Sequence, residues 1–326
     1  MQTTAAGLEA PPDVTADAAD VDAVHRLEAS VARVIRGKDE VIRMAVVCLL
    51  AQGHVLIEDV PGVGKTTLAQ SLARSLGLAF QRIQFTSDLL PTDIIGVTIF
   101  NQKNQAFEFV PGPLFANVVL ADEINRATPK TQSALLEAMN DRKVSVDRKR
   151  YSLPRPFIVI ATQNPREHHG TFPLPESQLD RFLMSLAIGY PPPDDERRLL
   201  LSGGVEAVLE ATEPVLSGDE LLALQRSVAR VTVAEKLADY MLALADATRR
   251  SGEFLLGVST RGLQSLYRGT QALALTEGRT FAVPDDVQRL AAPVLSHRVV
   301  VKRGNGDLDA ARRAIHRTVA GVPVPL

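Results

Sequence analysis

The chain has 326 residues, a formal net charge of −2 at pH 7 and a pI of about 6.3. Hydrophobic residues make up 45% and charged residues 23%, which is ordinary for a globular protein, and the length allows two domains without disulfide or metal support. The near-neutral charge argues against a nucleic-acid polycation, and the single cysteine, Cys48, excludes an internal disulfide and favours a reducing compartment.

The first 20 residues are rich in Ala, Thr, Asp and Pro and contain no Lys or Arg. This composition predicts a disordered acidic tail over residues 1–20 and lacks the basic start and apolar centre of a signal peptide. No apolar stretch in the sequence approaches the ~20 residues that a membrane-spanning helix needs. We therefore expect a cytoplasmic protein without membrane insertion.

Apolar residues at helical spacing predict an amphipathic helix over Val21–Ile35, which Gly37 ends. A second, more fully buried helix is predicted over Asp39–Ala51, and it makes Cys48 a buried structural thiol. The turn formed by Ile35 and Gly37 precedes a glycine-rich segment, so it is either a simple helix C-cap or part of an adenine pocket.

The segment Val55–Thr67, VLIEDVPGVGKTT, reads as a strand, a glycine-rich turn and the start of a helix, which is the context of a P-loop. In such a loop, backbone N–H groups and the helix N-terminus surround phosphate oxygens. Asp59 replaces the first glycine of the general pattern GxxxxGK[ST]. A glycine-rich turn before a surface lysine is the alternative. The residues predicted to bind nucleotide here are Pro61, Gly62, Val63, Gly64, Lys65, Thr66 and Thr67.

A second apolar run, Asn117–Ala121, ends in Asp122 and Glu123. A buried strand that ends in two carboxylates after a P-loop is the Walker B arrangement, although acidic pairs alone are usually solvated. Asp122 and the Thr66 hydroxyl would ligate Mg²⁺, and Glu123 would act as the general base on water. The next predicted strand, Pro156–Thr162, is followed by Asn164, whose amide suits the placement of a water near the γ-phosphate.

Two hairpins are predicted, near 96–110 and 144–156. The first is aromatic and is either a substrate-facing insertion or a surface decoration. The second carries the basic cluster Arg142–Arg150, which is either a solvated turn or a contact for an acidic substrate or nucleic acid. The pair His168–His169 has no companion ligands at metal spacing and is interpreted as an exposed loop.

Arg181 follows a short predicted helix and could reach out of its own subunit. A run of three prolines, Pro191–Pro193, marks a domain boundary before an acidic helix start. The remainder is predicted to be helical, and Arg261 stands at the head of one helix, where it either points back at the phosphates or is solvated. The predicted helices there are Asp219–Val228, Ala234–Arg249, Thr260–Glu277 and a last one from Pro284 to about Leu295.

Together these residues resemble the MoxR family of AAA+ ATPases. The blocks EDVPGVGKTTLA, ADEINRA, ATQNP, LPESQLDRF and STRGL…EGRTF…PDDV occur in the family's order, and the match runs from about Val34 to Val300. The generic P-loop lacks Asp59, but EDVPGVGKT itself resembles the family's variant.

The resemblance implies an α/β fold: an AAA+ P-loop NTPase αβα core with a five-stranded parallel sheet over 21–190, followed by an all-helical lid domain over 191–326. It implies a homo-oligomeric ring, usually a hexamer, with ATP and Mg²⁺ at subunit interfaces. By this resemblance Lys65 and Thr66 are the Walker A residues, and Asp122 and Glu123 are the Walker B residues. Asn164 corresponds to sensor 1 and Arg261 to sensor 2. Arg181 corresponds to the arginine finger that acts on a neighbouring subunit, and Arg126 is a further candidate for the subunit interface.

Members of the family often work with proteins that carry a von Willebrand factor A domain and are thought to mature or remodel other complexes. The sequence thus predicts an ATPase that couples hydrolysis to remodelling of a client. The alternatives are a nucleic-acid motor, which the basic hairpin favours and the near-neutral charge opposes, and a scaffold that binds ATP without turnover, which an intact Glu123 opposes.

Overall fold

The computed structural model describes residues 16–164, 170–201, 204–302 and 307–325. Two helices lead into the molecule, α1 (Ala18–Val34) and α2 (Asp39–Leu50). Asp17 caps α1 by accepting a hydrogen bond from the Ala19 N–H, so the helix includes the last three residues, 18–20, of the predicted tail. Residues 1–15 of that tail lie outside the described residues. Cys48 is buried in α2 as expected, and burial raises the pKa of its thiol.

The central sheet has five parallel strands, which are β1 (Val55–Glu58), β2 (Phe80–Gln84), β5 (Val118–Asp122), β8 (Ile158–Gln163) and β9 (Met184–Leu186). Their order across the sheet is β2-β5-β8-β1-β9. This confirms the predicted five-stranded parallel sheet. Because all five strands run in one direction, their carboxyl ends meet along one edge.

Two antiparallel hairpins project from this core at the positions expected from the sequence. The first pairs β3 (Gly96–Asn101) with β4 (Ala106–Pro111), and the second pairs β6 (Lys143–Val146) with β7 (Lys149–Ser152). The second turn has Asp147 and Arg148 at positive φ, as a two-residue hairpin turn requires. The remaining core helices are α3 (Lys65–Ser75), α4 (Pro91–Ile95), α5 (Pro129–Asp141) and α6 (Glu176–Leu179).

The second half of the chain is a helical lid region, as predicted, with one addition. A short antiparallel ribbon joins β10 (Phe254–Leu256) to β11 (Val300–Val301). Each strand is too short to be recognised from periodicity. The helices are α7 (Pro193–Leu201), α8 (Glu206–Glu210), α9 (Gly218–Val228), α10 (Glu235–Arg250), α11 (Thr260–Thr276), α12 (Pro284–Leu295) and α13 (Leu308–Gly321).

The sheet divides the buried apolar residues into two groups, because alternate residues of a strand face opposite sides. On one side Val55 and Ile57 pack in a cluster that also holds α1, α2 and the lid helices. On the other side Leu56 packs with α5 and the bases of the hairpins. The lid therefore shares a hydrophobic core with the first helices rather than forming its own. Among the described residues, no helix is long and apolar enough to cross a membrane.

Candidate active site

The glycine-rich turn after β1 adopts the backbone of a phosphate-binding loop. Gly62 has φ of 83° and Gly64 has φ of 94°, both in the left-handed region that favours glycine, and Gly64 is the N-cap of α3. Helix α3 begins at Lys65, so the first N–H groups of the helix and its positive dipole end open at this turn.

Asp59, the departure from the general motif, anchors this loop to the sheet. Its Oδ1 accepts a hydrogen bond from the Val60 N–H at 2.8 Å, and its Oδ2 accepts from the N–H groups of Ile188 at 2.7 Å and Gly189 at 2.6 Å. Glycine could make none of these side-chain bonds. The carboxylate thus ties the start of the loop to the segment that leaves β9 towards the lid.

A cavity of about 370 Å³ lies at the carboxyl edge of the sheet, next to the loop. Lys65 lines it, and its Nζ donates to the Asp59 carbonyl oxygen at 2.7 Å. Val63 was predicted to bind nucleotide, but its side chain is buried and is not part of the lining. The full lining is Pro61, Gly62, Gly64, Lys65, Thr66, Thr67, Arg82, Asp122, Glu123 and Asn164.

Asp122 ends β5 and is buried. Its Oδ1 accepts from the Thr162 hydroxyl at 2.6 Å, and its Oδ2 accepts from Arg82 Nη2 at 2.6 Å and Arg82 Nε at 3.1 Å. Sequence reasoning missed both partners. Arg82 lies on the neighbouring strand β2, two residues before the position that pairs with Asp122, so its only signal was a charge within a short strand.

Glu123 has φ of 55° and ψ of 50°, a left-handed conformation that is unusual for a residue other than glycine. Its N–H donates to the Thr162 hydroxyl at 2.9 Å, which holds this backbone. Its Oε2 accepts from Gln84 Nε2 and from Arg126 Nη1, each at 3.0 Å. Arg126, predicted as an interface residue, is thus paired with Glu123 of its own chain. The carboxylate sits in the cavity wall between two donors.

Asn164 directly follows β8, is buried and lines the same cavity. The preceding residue, Gln163, faces elsewhere and donates to Glu58. The alternation along the strand therefore aims only Asn164 at the loop. The predicted exposed loop at His168–His169 lies outside the described residues.

The predicted adenine residues flank the loop on its lid side. A Cβ built on Gly64 would lie 3.8 Å from Ile35 Cδ1, so the Ile35 side chain rests on the loop. Gly37 has φ of 68°, and a Cβ there would collide with Asp195 Oδ2 and lie 2.8 Å from Pro192 Cδ. The turn is therefore packed between the loop and the start of the lid, and its contact with adenine stays a prediction.

The two predicted arginines lie away from this cavity. Arg181 Nη1 donates to the Leu136 carbonyl oxygen of α5 at 2.7 Å. Arg261 is exposed in the first turn of α11, in a region that also holds Arg298. Neither lines the cavity beside the P-loop. A role for either one in hydrolysis stays a prediction, and Arg181 would need a second subunit to fulfil it.

Comparison with known proteins agrees with this arrangement. Residues 54–184 match the model of the ATPase family associated with various cellular activities (AAA), and residues 246–317 match an AAA lid domain. The chain is 43% identical over 303 residues to the chaperone MoxR1 of Mycobacterium tuberculosis, covering 90% of this chain and 80% of that protein. It is 34% identical to the MoxR protein of Paracoccus denitrificans, covering 91% and 95%.

The chain belongs to the MoxR family of AAA ATPases. It is also 48% identical to YeaC of Bacillus subtilis over 90% of this chain and 92% of that one. A solved structure of a presumed ATPase from Cytophaga hutchinsonii superposes with a TM-score of 0.86 at 33% identity and covers 94% of this chain and 96% of that one.

Membership in this ATPase family implies ATP binding. The cavity beside the P-loop is the candidate site because it brings together the loop, the Asp122–Glu123 pair and Asn164. The Thr66 hydroxyl and the Asp122 carboxylate line it together, and oxygen ligands of these two kinds are what Mg²⁺ prefers. The donor set therefore fits a magnesium nucleotide.

Proposed function

We propose that this MoxR-family ATPase hydrolyses ATP in a ring, usually a hexamer in this family, and uses the energy to mature or remodel a client complex. A partner with a von Willebrand factor A domain is part of the proposal. The relative from Mycobacterium tuberculosis is named a chaperone. The observation that carries the proposal is the convergence of Lys65, Asp122, Glu123 and Asn164 on one cavity.

Each residue has a role that its position supports. The Lys65 ammonium would hold the β- and γ-phosphates together with the N–H groups at the start of α3. Thr66 and Asp122 would hold Mg²⁺, which neutralises charge on the phosphate oxygens when bound. Asp122 is now paired with Arg82, so this guanidinium must share or release the carboxylate.

Glu123 would orient and deprotonate the attacking water, with the Asn164 amide as a second hydrogen-bonding group. For this, the Glu123 carboxylate must turn from Gln84 and Arg126 towards the phosphate. These two side chains hold it by hydrogen bonds at the outer wall of the cavity. If these two hydrogen bonds break only after nucleotide has bound, ATP binding and hydrolysis become two separate steps.

Arg181 would stabilise charge on the γ-phosphoryl group of a neighbouring subunit. Its position outside the cavity of its own chain supports a role in trans. An arginine supplied in this way is worth about 10³–10⁵ in rate. Arg261, in the lid, would sense the nucleotide from its exposed position on α11.

The hairpin β3–β4 is the proposed contact with the client. Its side chains Ile99, Phe100 and Phe107 are 47%, 52% and 73% exposed, which is unusual for large apolar groups. Phe109 of the same hairpin stacks on Tyr151 of β7 with ring centroids 4.0 Å apart. The two hairpins would therefore move as a unit.

The Glu123→Gln variant tests the proposal. Loss of the general base should stop phosphate release while ATP stays bound, so the variant should co-purify with the client from its native cell. Glu235→Gln, an exposed change at the start of α10, is the matched control. Phosphate release by Glu123→Gln at the parent rate would remove this carboxylate from the mechanism. Recovery of no von Willebrand factor A protein with the trapped ring would contradict that partner.

A nucleic-acid motor is the second candidate, because the hairpin β6–β7 presents Lys143, Arg148, Lys149 and Arg150 as exposed cations. Binding to phosphate backbones falls steeply with salt. Tight DNA binding that weakens strongly between low and physiological salt, and that is lost on Arg148→Ala, would favour this function over remodelling.

A further inference from the structure

The segment that carries Arg181 is held from the lid. Asp180 Oδ1 accepts from Arg298 Nε at 2.9 Å and from the Ser259 hydroxyl at 2.9 Å. Both donors belong to the lid: Arg298 follows α12, and Ser259 is the N-cap of α11. Arg298 is only 3% exposed. A core carboxylate directly beside Arg181 is therefore fixed by two lid side chains.

Arg298 also holds the backbone of this segment. Its guanidinium donates to the carbonyl oxygens of Asp180 at 3.3 Å and Leu183 at 3.1 Å, and to that of Phe182. The neighbouring His297 adds a bond from Nε2 to the Phe182 carbonyl oxygen at 3.1 Å. These contacts bracket Arg181 on both sides, so its backbone position depends on where the lid lies.

The cation is buried only because it is so fully paired. Burial lowers the pKa of Arg298 to about 10, and Asp180 opposes this by raising it. Arg298 is therefore still charged at neutral pH, and separating it from Asp180 would leave a buried ion without its partner. Because breaking this ion pair is costly, a movement of the lid would move Asp180 with it and leave the pair intact.

The same contact extends to the helix of Arg261. The Ser259 hydroxyl that donates to Asp180 also accepts from the Gly262 N–H at 2.9 Å, which caps α11. A Cβ on Gly262 would lie 3.0 Å from Arg298 Cδ, so the first turn of α11 rests on the arginine. The Arg181 guanidinium, in contrast, donates a hydrogen bond to the Leu136 carbonyl oxygen of the core helix α5.

We propose that three residues, Arg298, Ser259 and Asp180, form a lid–finger clamp that couples the position of a subunit's lid to the position of its own Arg181. The clamp thereby controls how well this Arg181 supports ATP hydrolysis in the next subunit. The inference rests on the proposed function, in which Arg181 acts in trans. Arg298 is then a positioning residue. A shift of the lid moves the Arg181 backbone relative to α5, so the guanidinium is drawn off the Leu136 carbonyl oxygen or returned to it.

Mixed rings test this directly. A donor subunit carries Glu123→Gln, which keeps Arg181 but cannot hydrolyse ATP. An acceptor subunit carries Arg181→Ala, which keeps its base but offers no arginine. ATP hydrolysis in the mixture then comes only from acceptor sites served by donor arginines. Arg298→Lys is added to the donor or to the acceptor, and ATPase rate and nucleotide binding are measured for both mixtures.

The clamp predicts a loss of about 10-fold or more when Arg298→Lys is in the donor, since a misplaced Arg181 loses part of the about 10³–10⁵ in rate that an arginine supplied in trans is worth. It predicts less than about a twofold loss when the change is in the acceptor. Arg289→Lys is the matched control, because Arg289 joins the lid to Glu40 of α2 without touching the segment of Arg181. That change should leave both mixtures unaffected.

Three outcomes overturn the clamp. An equal loss in donor and acceptor shows a merely structural role for Arg298, and no loss in the donor shows that Arg181 is placed without it. If the mixture of donor and acceptor is inactive even without the Arg298 change, Arg181 has no trans role. That result contradicts the proposed function, and the clamp is then excluded as well. If Arg298→Lys does not assemble, Asp180→Asn in the same positions decides, since it removes the ion pair and keeps the shape.

Discussion

The P-loop cavity and the lid–finger clamp are built from contacts of opposite kinds. Most residues of the cavity come from short motifs, each at the end of one strand, and strand order alone brings them together. The clamp joins residues 118 positions apart, and its central group is a buried arginine with no motif around it. Phosphate chemistry is thus encoded locally, whereas communication between sites depends on tertiary contacts. Four substitutions test this difference between the two regions.

The largest effect is expected from Lys65→Ala, within the local motif. Loss of the ammonium that faces the phosphates should abolish nucleotide binding and lower ATP turnover by about 100-fold or more. Binding of a fluorescent ATP analogue and phosphate release measure this. Lys302→Ala, an exposed lysine after β11, is the control. Near-normal ATP affinity in Lys65→Ala would mean that the cavity is not the nucleotide site.

Asp59→Gly restores the general P-loop motif but removes a tertiary anchor. The N–H groups of Ile188 and Gly189 lose their acceptor, at about 1–3 kcal/mol of unfolding free energy. We expect ATP affinity to weaken about tenfold, the equivalent of about 1.4 kcal/mol. Urea unfolding and nucleotide titration measure the two effects. Asp59→Asn keeps one carbonyl oxygen and should fall between. An improved ATP affinity in Asp59→Gly would show that the local motif suffices.

Arg82→Met removes the cation that holds Asp122 and keeps its bulk. The carboxylate is then freer for metal, so less Mg²⁺ should give half-maximal ATPase activity. The change should be at most about fivefold, because a partly exposed ion pair is worth about 0.2–1 kcal/mol. Titration of Mg²⁺ against phosphate release, with Arg74→Met of α3 as the control, measures it. A higher Mg²⁺ requirement would show that Arg82 assists the site instead of competing for it.

The smallest effect on activity is expected from His54→Gln, because His54 directly precedes β1, at the end of the strand away from the P-loop. Burial lowers the pKa of His54 to about 4, and its Nδ1 accepts from the Val159 N–H at 2.9 Å. An unfolded histidine takes up a proton below about pH 6.5, so the stability held by neutral His54 is full above that pH and is lost as pH falls towards 4.

The loss between pH 7 and pH 4 is on the order of 3 kcal/mol for this one group, at 1.36 kcal/mol per pKa unit. Urea unfolding at several pH values should show a flatter acid limb in His54→Gln, while the ATPase rate at neutral pH stays close to that of the parent. The exposed His25→Gln is the matched control and should keep the full acid dependence. An unchanged acid limb in His54→Gln would place the titrating group elsewhere.

Local sequence patterns were enough to predict the strands β1, β5 and β8, the P-loop, the acidic pair and the two hairpins. Each of these is a local pattern, in which apolar spacing sets the element and a glycine or a carboxylate stands at its end. Gly62 and Gly64 show this well, since their positive φ angles are what the P-loop motif requires. The resemblance to the family added the domain order, with the nucleotide-binding core first and the lid after it.

The partners of Asp59, Asp122 and Asp180 became visible only in the folded chain. Apart from the Val60 N–H beside Asp59, their N–H and guanidinium donors lie 40 to 130 positions away in sequence. A carboxylate near a strand end is compatible with solvent, metal or an ion pair, and the sequence holds no sign of which one it meets. The short ribbon β10–β11 was missed for the same reason, because its pairing comes from chain packing and not from a local period. The phosphate-binding chemistry can be predicted from neighbouring residues because each motif is a short local pattern. The coupling between sites depends on which distant side chains the fold brings into contact.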